Sequence, residues 1–424
     1  MKKVSASIIT IGDELLIGQV IDTNSAWMAQ ELNKTGVWVK RRVAVGDAWD
    51  AIWNALNEEA KQSDIILITG GLGPTADDIT KPLLCEYFGG KMVVNEKALA
   101  NVKYIFERVL KRSLAEMLER NLKQAEVPDT CTVIQNKRGT APGMWFEKEG
   151  KIFVSMPGVP HEMQGMMTDY ILPRLPTLFN MPAIVSRTLL TAGVGESYLA
   201  ERIKDFEEGL PPYIKLAYLP NYGMVRLRLT GTGDSAAAIN DEVQALFNTL
   251  KAQVADALVT DEDEPLEKAL GKLLVARHKT MSTAESCTGG YIAQLITSHP
   301  GASAYYKGSV VSYANEVKEA VLHVSAATLA SQGAVSEATV REMIKGVLDS
   351  VGADYAIAVS GIMGPDGGSP EKPVGMVWIA AGNRGKTVAQ QFNFRFDRRR
   401  NIELTSTNAL NLLRKFILEE ESAS

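Results

Sequence analysis

The chain has 424 residues, enough for two or three separate cores rather than one. It is 46% hydrophobic and 22% charged, and its net charge of −5 comes from 45 basic and 50 acidic side chains, a balance that argues against a tracker of phosphate backbones. Three widely spaced cysteines (Cys85, Cys131, Cys287) form neither a disulfide framework nor paired metal-ligand spacing, and Asp13 and Glu14 cut the first apolar run too early for a signal peptide. With no run of membrane-spanning length, the expectation is a reduced, soluble, cytoplasmic protein without nucleic-acid or membrane partners.

Residues 1–176 alternate β-branched runs with helical periods. SASIITIG, VKRRVAV, SDIILITGG and KIFVSMPG read as strands; NSAWMAQELNKTG, AWDAIWNALNEEAKQ and DDITKPLLCEYFGG read as helices. That alternation predicts parallel βαβ units in a three-layer α/β domain, with its ligand site at the carboxyl ends of the strands. Residues 182–258 follow a different pattern, with SRTLLTAG, YIKLAYLP and GMVRLRLTGTG as strands and ESYLAERIKDF and SAAAINDEVQALFNTLKAQVADAL as helices. This is a small α+β unit without a reactive cluster. Its GVGE turn is a poor nucleic-acid clamp, so a structural connecting role is favoured. The acidic stretch TDEDEP then reads as a linker into a second α/β domain over 262–420, with a long first helix, strands at SVVSYA, DYAIAVSG and GMVWIAAG, and a polar tail EEESAS.

In ILITGGLGPTADDITK, Gly71, Gly73 and Ala76 fit a G-x-G-x-x-A dinucleotide pattern, preceded by Gly70. A bare phosphate is nevertheless excluded, because Asp77 and Asp78 would occupy the first helical turn and repel it. Two carboxylates there attract a cation, which can bridge to phosphate oxygens; as a capping pair, Thr75 and Asp78 need no ligand. A second acidic strand-end turn, TIGDELLIGQVIDTN, supplies Asp13, Glu14, Asp22 and Asn24, and Glu162 of MPGVPHEM is a further member. The two turns converging on one crevice would suit a metal-assisted phosphoanhydride cleavage. Lys81 is open between an ion pair with Asp77 and a phosphate contact.

The C-terminal region raises a different question. TAESCTGGYIAQL sets Ser286 and Cys287 side by side before Thr288, Gly289, Gly290 and an apolar helix. Ser286 is a nucleophile candidate with N–H groups at the helix start as an oxyanion site, or merely a helix cap. The loop SGIMGPDGGSPEKPVG, carrying Ser360, Gly361, Gly364, Gly367 and Gly368, is rich in N–H groups suited to a phosphate.

GDELLIGQVIDTN, TGGLGPTADDITK and MPGVPHEM resemble the N-terminal domain of the CinA family of competence/damage-inducible proteins, and TAESCTGG, VSYANEVK and SGIMGPDGGSPEKPVG resemble its C-terminal domain. The resemblance covers essentially the whole chain. It implies a molybdopterin-binding-like N-terminal fold with metal-dependent ADP-ribose pyrophosphatase activity, a KH-like middle domain and a C-terminal nicotinamide mononucleotide deamidase. It further implies Ser286 as nucleophile, Lys318 as general base and Tyr313 assisting proton transfer, with Arg398 of FDRRRNIEL at a substrate-binding position. Where relatives carry a second arginine, four residues on, this chain has Ile402; Arg399 or Arg400 is the candidate substitute. Cys287 is expected to be a packed neighbour pointing away from Ser286. The cofactor expectation is one divalent ion in the N-terminal domain, a potassium ion beside it being a further candidate, and none for the deamidase. Nicotinamide mononucleotide and ADP-ribose are the expected partners, in a homodimer. The competing reading is a non-catalytic nucleotide- or pterin-binding accessory linked to competence or DNA damage.

Overall fold

The structure is a computed structural model and describes residues 4–73, 75, 78–109, 111–113 and 116–422. The chain divides into two units, residues 1–185 with 232–239 and residues 186–231 with 240–424.

The first unit is built on a six-stranded sheet of order β2-β1-β3-β8-β7-β6, with β1 Ser5–Ile11, β2 Trp38–Val45, β3 Ile65–Thr69, β6 Thr132–Ile134, β7 Gly143–Lys148 and β8 Lys151–Met156. β4 Met92–Val94 and β5 Glu126–Pro128 pair separately. Strands β2, β1, β3 and β8 run parallel, as the alternation predicts. The edge differs: β7 and β6 are antiparallel, and the glycine- and proline-containing stretch NKRGTAPGMWF runs into the buried start of β7. Side-chain alternation divides the central strands between two cores. Ala6, Ile8, Ile65 and Leu67 pack with Met28 and Leu32 of the Thr23–Lys34 helix. Ile9, Ile11, Ile66 and Ile68 pack with Ile52 and Leu56 of the Trp49–Gln62 helix on the opposite face. Each of the buried isoleucine, leucine and methionine side chains contributes about 1.5–3 kcal/mol. Because β1 pairs with β2 on one side and β3 on the other, the chain reverses direction there and opens a crevice at their carboxyl ends.

In the second unit, β9 Ala183–Ala192, β10 Ile214–Asn221, β11 Met224–Gly233 and β12 Leu258–Thr260 form a sheet of order β10-β11-β9-β12. The linker after β12 is clamped by charge. Asp261 pairs with Lys251 at 2.5 Å, Asp263 with Arg228 at 3.0 Å, and Glu264 with Lys272 at 2.8 Å. A third sheet has the order β14-β13-β15-β16-β17, from β13 Met281–Glu285, β14 Tyr306–Val311, β15 Tyr355–Gly361, β16 Met376–Gly382 and β17 Thr387–Asn393. One face carries Met281, Ile357, Val359 and Ile379 against Leu270, Ile292 and Leu410. The other is lined by the small Ala284, Ala356, Ala358 and Ala380, which let Val340, Ile344 and Val347 of the Glu337–Val351 helix approach closely. Strands β13 and β17 fell outside the elements read from sequence: MSTAE is small and polar, and it is a strand because neighbours pair on both its edges. The expected polar tail is likewise corrected, since the helix Arg398–Ser422 runs into it.

Candidate active site

Strand β13 lies between β14 and β15, so its carboxyl end is a second point where the chain reverses across a sheet. Ser286 is the next residue, tied to β15 by its N–H to the Val359 carbonyl at 3.0 Å. Gly289 and Gly290 follow at φ +62° and +98°, left-handed values that glycine adopts without steric cost, and they turn the chain sharply into the Tyr291–Thr297 helix.

Ser286 Oγ accepts a hydrogen bond from Lys318 Nζ at 3.0 Å. Lys318 projects from the Asn315–Leu322 helix, is only 1% exposed, and also donates to the carbonyls of Ser312 at 2.6 Å and Tyr313 at 3.4 Å. Burial lowers its pKa from the ordinary 10.5, although the nearby Cys287 and Glu316 act in the opposite direction. A lysine so placed can remove a proton from the serine. Cys287 lies in the apolar cluster with Met281, Ile292 and Val359, and burial pushes its thiol up to about 12. The two neighbours face apart, and only the serine meets a base.

The oxyanion donors differ from expectation. Glu285, fully buried, accepts from the N–H groups of Gly290 at 3.1 Å, Ile292 at 3.0 Å and Ala293 at 2.9 Å, and from the Thr288 hydroxyl at 2.7 Å. The Gly289 N–H is bonded to the Ser286 carbonyl and that of Tyr291 to the Thr288 carbonyl. The helix-start donors and the Thr288 hydroxyl are therefore occupied. Among the described residues, the N–H groups of Cys287 and Thr288 are the donors of this turn left without a protein acceptor.

Other expected residues fall into two groups. Arg398 donates to the Gly364 carbonyl at 2.8 Å and to the Tyr313 hydroxyl at 2.9 Å, bridging the glycine-rich loop to the loop before Lys318. Tyr313 is 62% exposed; it meets Lys318 through its carbonyl, while its hydroxyl is held by Arg398. Gly367 and Gly368 lie on the exposed part of the loop. The Ser360 hydroxyl, by contrast, is spent on the Ala334 carbonyl at 2.7 Å, and Gly361 is paired with Val377. Neither candidate substitute for a second arginine joins the bridge: Arg399 pairs with Glu403 at 3.1 Å and Arg400 stacks over Phe396 at 3.9 Å. Two organisers were missed from sequence. Glu285 could have been suspected as an acid ending an otherwise small-residue strand; Asn401, which holds the Met363 carbonyl at 3.1 Å, carried no signal.

In the N-terminal unit most of the expected acids that are described accept hydrogen bonds from nearby donors. Asp22 caps the Thr23–Lys34 helix, accepting from Ser25 N–H at 2.9 Å. Asp13 and Asp47 exchange bonds, each accepting from the other's N–H at 3.2 and 3.1 Å, and Glu14 is exposed beside them. Asp78 precedes its helix, which begins at Thr80, and closes the loop by accepting from Gly73 and Thr75 N–H at 2.8 and 2.9 Å. Glu162 accepts from Asn136 at 2.6 Å. Asp77 lies outside the described residues. Among those described, no three His, Cys, Asp or Glu side chains stand together as a metal set. The Lys81 expectation is also altered: it is buried, bonded to the Gln124 carbonyl at 2.7 Å, and burial lowers its pKa to about 8 against the pull of Glu126. Asn24 donates to the Gly158 carbonyl at 2.7 Å, and its Oδ1 is buried without a partner. Gly70, at φ +113°, leaves no room for a Cβ, which would stand 2.3 Å from the Ile11 carbonyl. Gly71 and Gly73 continue this turn.

The architecture defines a class of protein: a molybdopterin-binding-like α/β domain joined through a small KH-like domain to a second α/β domain that buries a serine–lysine pair. Family models match in the same order: a probable molybdopterin binding domain over residues 7–177, the damage-inducible protein CinA KH domain over 186–259, and the CinA C-terminal domain over 263–417. A CinA-like protein of Cytophaga hutchinsonii is 45% identical across 98% of both chains, and one of Flavobacterium psychrophilum is 44% identical across 98% of this chain and 99% of its own. A crystal structure of a CinA superfamily protein from Klebsiella pneumoniae is 39% identical and covers 35% of this chain and 94% of its own, with a TM-score of 0.35. The chain belongs to the CinA family of competence/damage-inducible proteins. No helix among the described residues is long and apolar enough to cross a membrane.

Proposed function

We propose that the C-terminal domain is an amidohydrolase that converts nicotinamide mononucleotide to nicotinate mononucleotide and ammonia. The observation that carries the reading is the 3.0 Å contact between Lys318 Nζ and Ser286 Oγ, with the lysine buried and its pKa lowered. The substrate itself comes from the family resemblance. Neutral Lys318 takes the Ser286 proton as Oγ attacks the carboxamide carbon. The oxyanion is received by the Cys287 and Thr288 N–H groups. Lys318 then returns its proton to the nitrogen, the C–N bond breaks and ammonia leaves an acyl-serine ester. A water, deprotonated by the same lysine, hydrolyses the ester, so one water is consumed per ammonia released. The bridge through Arg398 frames the substrate end of the site, and the loop 364–368 is the candidate phosphate contact.

For the N-terminal domain, ADP-ribose pyrophosphatase activity rests on the resemblance alone. The crevice of Asn24, Gly70 and Gly71 supports nucleotide binding. Ammonia release from nicotinamide mononucleotide by wild type and Lys318→Ala tests the main reading. Turnover in the first and near-silence in the second is expected. Stoichiometric binding without release would favour the accessory-protein reading instead.

A further inference from the structure

Glu285 has no part in the chemistry above, yet at least five donors meet its carboxylate. Its Oε2 accepts from the Thr288 hydroxyl, Gly290 N–H and Ile292 N–H at 2.7, 3.1 and 3.0 Å; Oε1 accepts from Ala293 N–H at 2.9 Å and the Thr283 hydroxyl at 3.3 Å. A fully buried carboxyl group without such donors would be strongly unfavourable, so the local chain must fold around it. Its position in sequence then matters. Glu285 ends β13 and immediately precedes Ser286, while four of its donors (Thr288, Gly290, Ile292 and Ala293) lie three to eight residues later; the carboxylate thus draws residues 286–290 into a closed turn.

Resting on the proposed amidohydrolase reading, we infer that Glu285 is a positioning residue that sets the oxyanion site. It occupies the Gly290, Ile292 and Ala293 N–H groups, which could otherwise compete for the substrate oxygen. The two N–H groups it leaves free, those of Cys287 and Thr288, belong to the turn whose first residue is the nucleophile. It also fills the helix start with negative charge, so a substrate phosphate is turned away from Ser286 and the carboxamide is left to approach it. Glu285 acts through the turn and touches no substrate atom.

The near-isosteric Glu285→Gln offers one acceptor oxygen and one NH2 where two oxygens meet at least four donors, so the turn must loosen. The test follows ammonia release and, separately, labelling of Ser286 by a fluorophosphonate probe, whose phosphoryl oxygen needs the same donors. Expected for Glu285→Gln is a kcat loss of about 10²-fold with KM within twofold, and a comparable slowing of labelling. Thr288→Val, which deletes one donor to Glu285 but keeps the Thr288 N–H, should lose about tenfold in kcat, and Thr288→Ser should restore it. Should Glu285→Gln not fold, the Thr288 pair decides. Wild-type kcat and labelling in a folded Glu285→Gln or Thr288→Val, or a loss confined to KM, would overturn the inference. If wild type labels at Ser286 but releases no ammonia, the substrate reading fails while labelling still judges Glu285. Absence of both overturns the two together.

Discussion

Replacing Lys318 by methionine separates the chemical role of the ammonium from its bulk. Methionine matches the stem of a side chain that is only 1% exposed, so the apolar packing is kept and no large cavity opens. What is lost is the Nζ, with its bonds to Ser286 Oγ, Ser312 O and Tyr313 O. Removing a general base costs about 10²–10⁴ in rate, or about 3–5 kcal/mol of barrier. Stability should change little at neutral pH, because two terms oppose. The orphaned Ser312 carbonyl costs about 1–3 kcal/mol, and removing a buried ammonium returns a comparable amount. The pH dependence gives the sharper signature. Lys318 has a folded pKa below its unfolded 10.5, so between those values the unfolded chain binds the extra proton. Its contribution to stability is therefore least favourable below the folded pKa and improves as pH rises towards 10.5. Lys318→Met should remove that alkaline improvement, and wild-type kcat should rise with pH as the lysine is neutralised, levelling off below 10.5. Ammonia release and thermal melts at pH 7 and about pH 10 read both effects. Activity above a tenth of wild type in the variant, or a wild-type melting difference between the two pH values that Lys318→Met leaves unchanged, would refute the reasoning.

Three further substitutions probe separate parts of the molecule. Cys287→Ala should keep ammonia release within about threefold while lowering stability by about 1 kcal/mol, since the thiol is packed and its pKa is raised to about 12; loss of turnover would return the nucleophile role to the cysteine. Arg398→Lys cannot span both the Gly364 carbonyl and the Tyr313 hydroxyl, so KM for nicotinamide mononucleotide should rise about tenfold with kcat little changed; an unaltered KM would remove the bridge from substrate binding. Asp22→Ala should destabilise the N-terminal domain by about 1 kcal/mol through the lost helix cap, seen as an earlier first transition in calorimetry; an unchanged transition would mean the cap contributes nothing.

The difference between what sequence exposes and what it hides runs along one physical line. Periodicity and glycine placement are local, so the parallel strands β1, β2 and β3, their flanking helices and the turn at Gly289–Gly290 could be read directly. The burial of a charged side chain is not local. Lys318 sits on an ordinary-looking amphipathic helix, and only the fold brings its Nζ to a serine 32 residues earlier; without the family resemblance it would have passed for a surface lysine. Glu285 was hidden for the same reason, because its donors come into line only after the Tyr291–Thr297 helix has formed. The N-terminal acids show the converse case. Asp13, Asp22 and Asp78 have the residue types and loop positions of metal ligands, but each has a backbone N–H within reach: Asp47, Ser25, and Gly73 with Thr75. A carboxylate oxygen committed to a main-chain donor is a weaker ligand, and an acid at a strand end can serve as a cap or loop closure without any cation. Acidic loops at a strand edge therefore become a metal site only when their carboxylates outnumber the main-chain donors around them, a count that depends on the path of the backbone rather than on the residues alone.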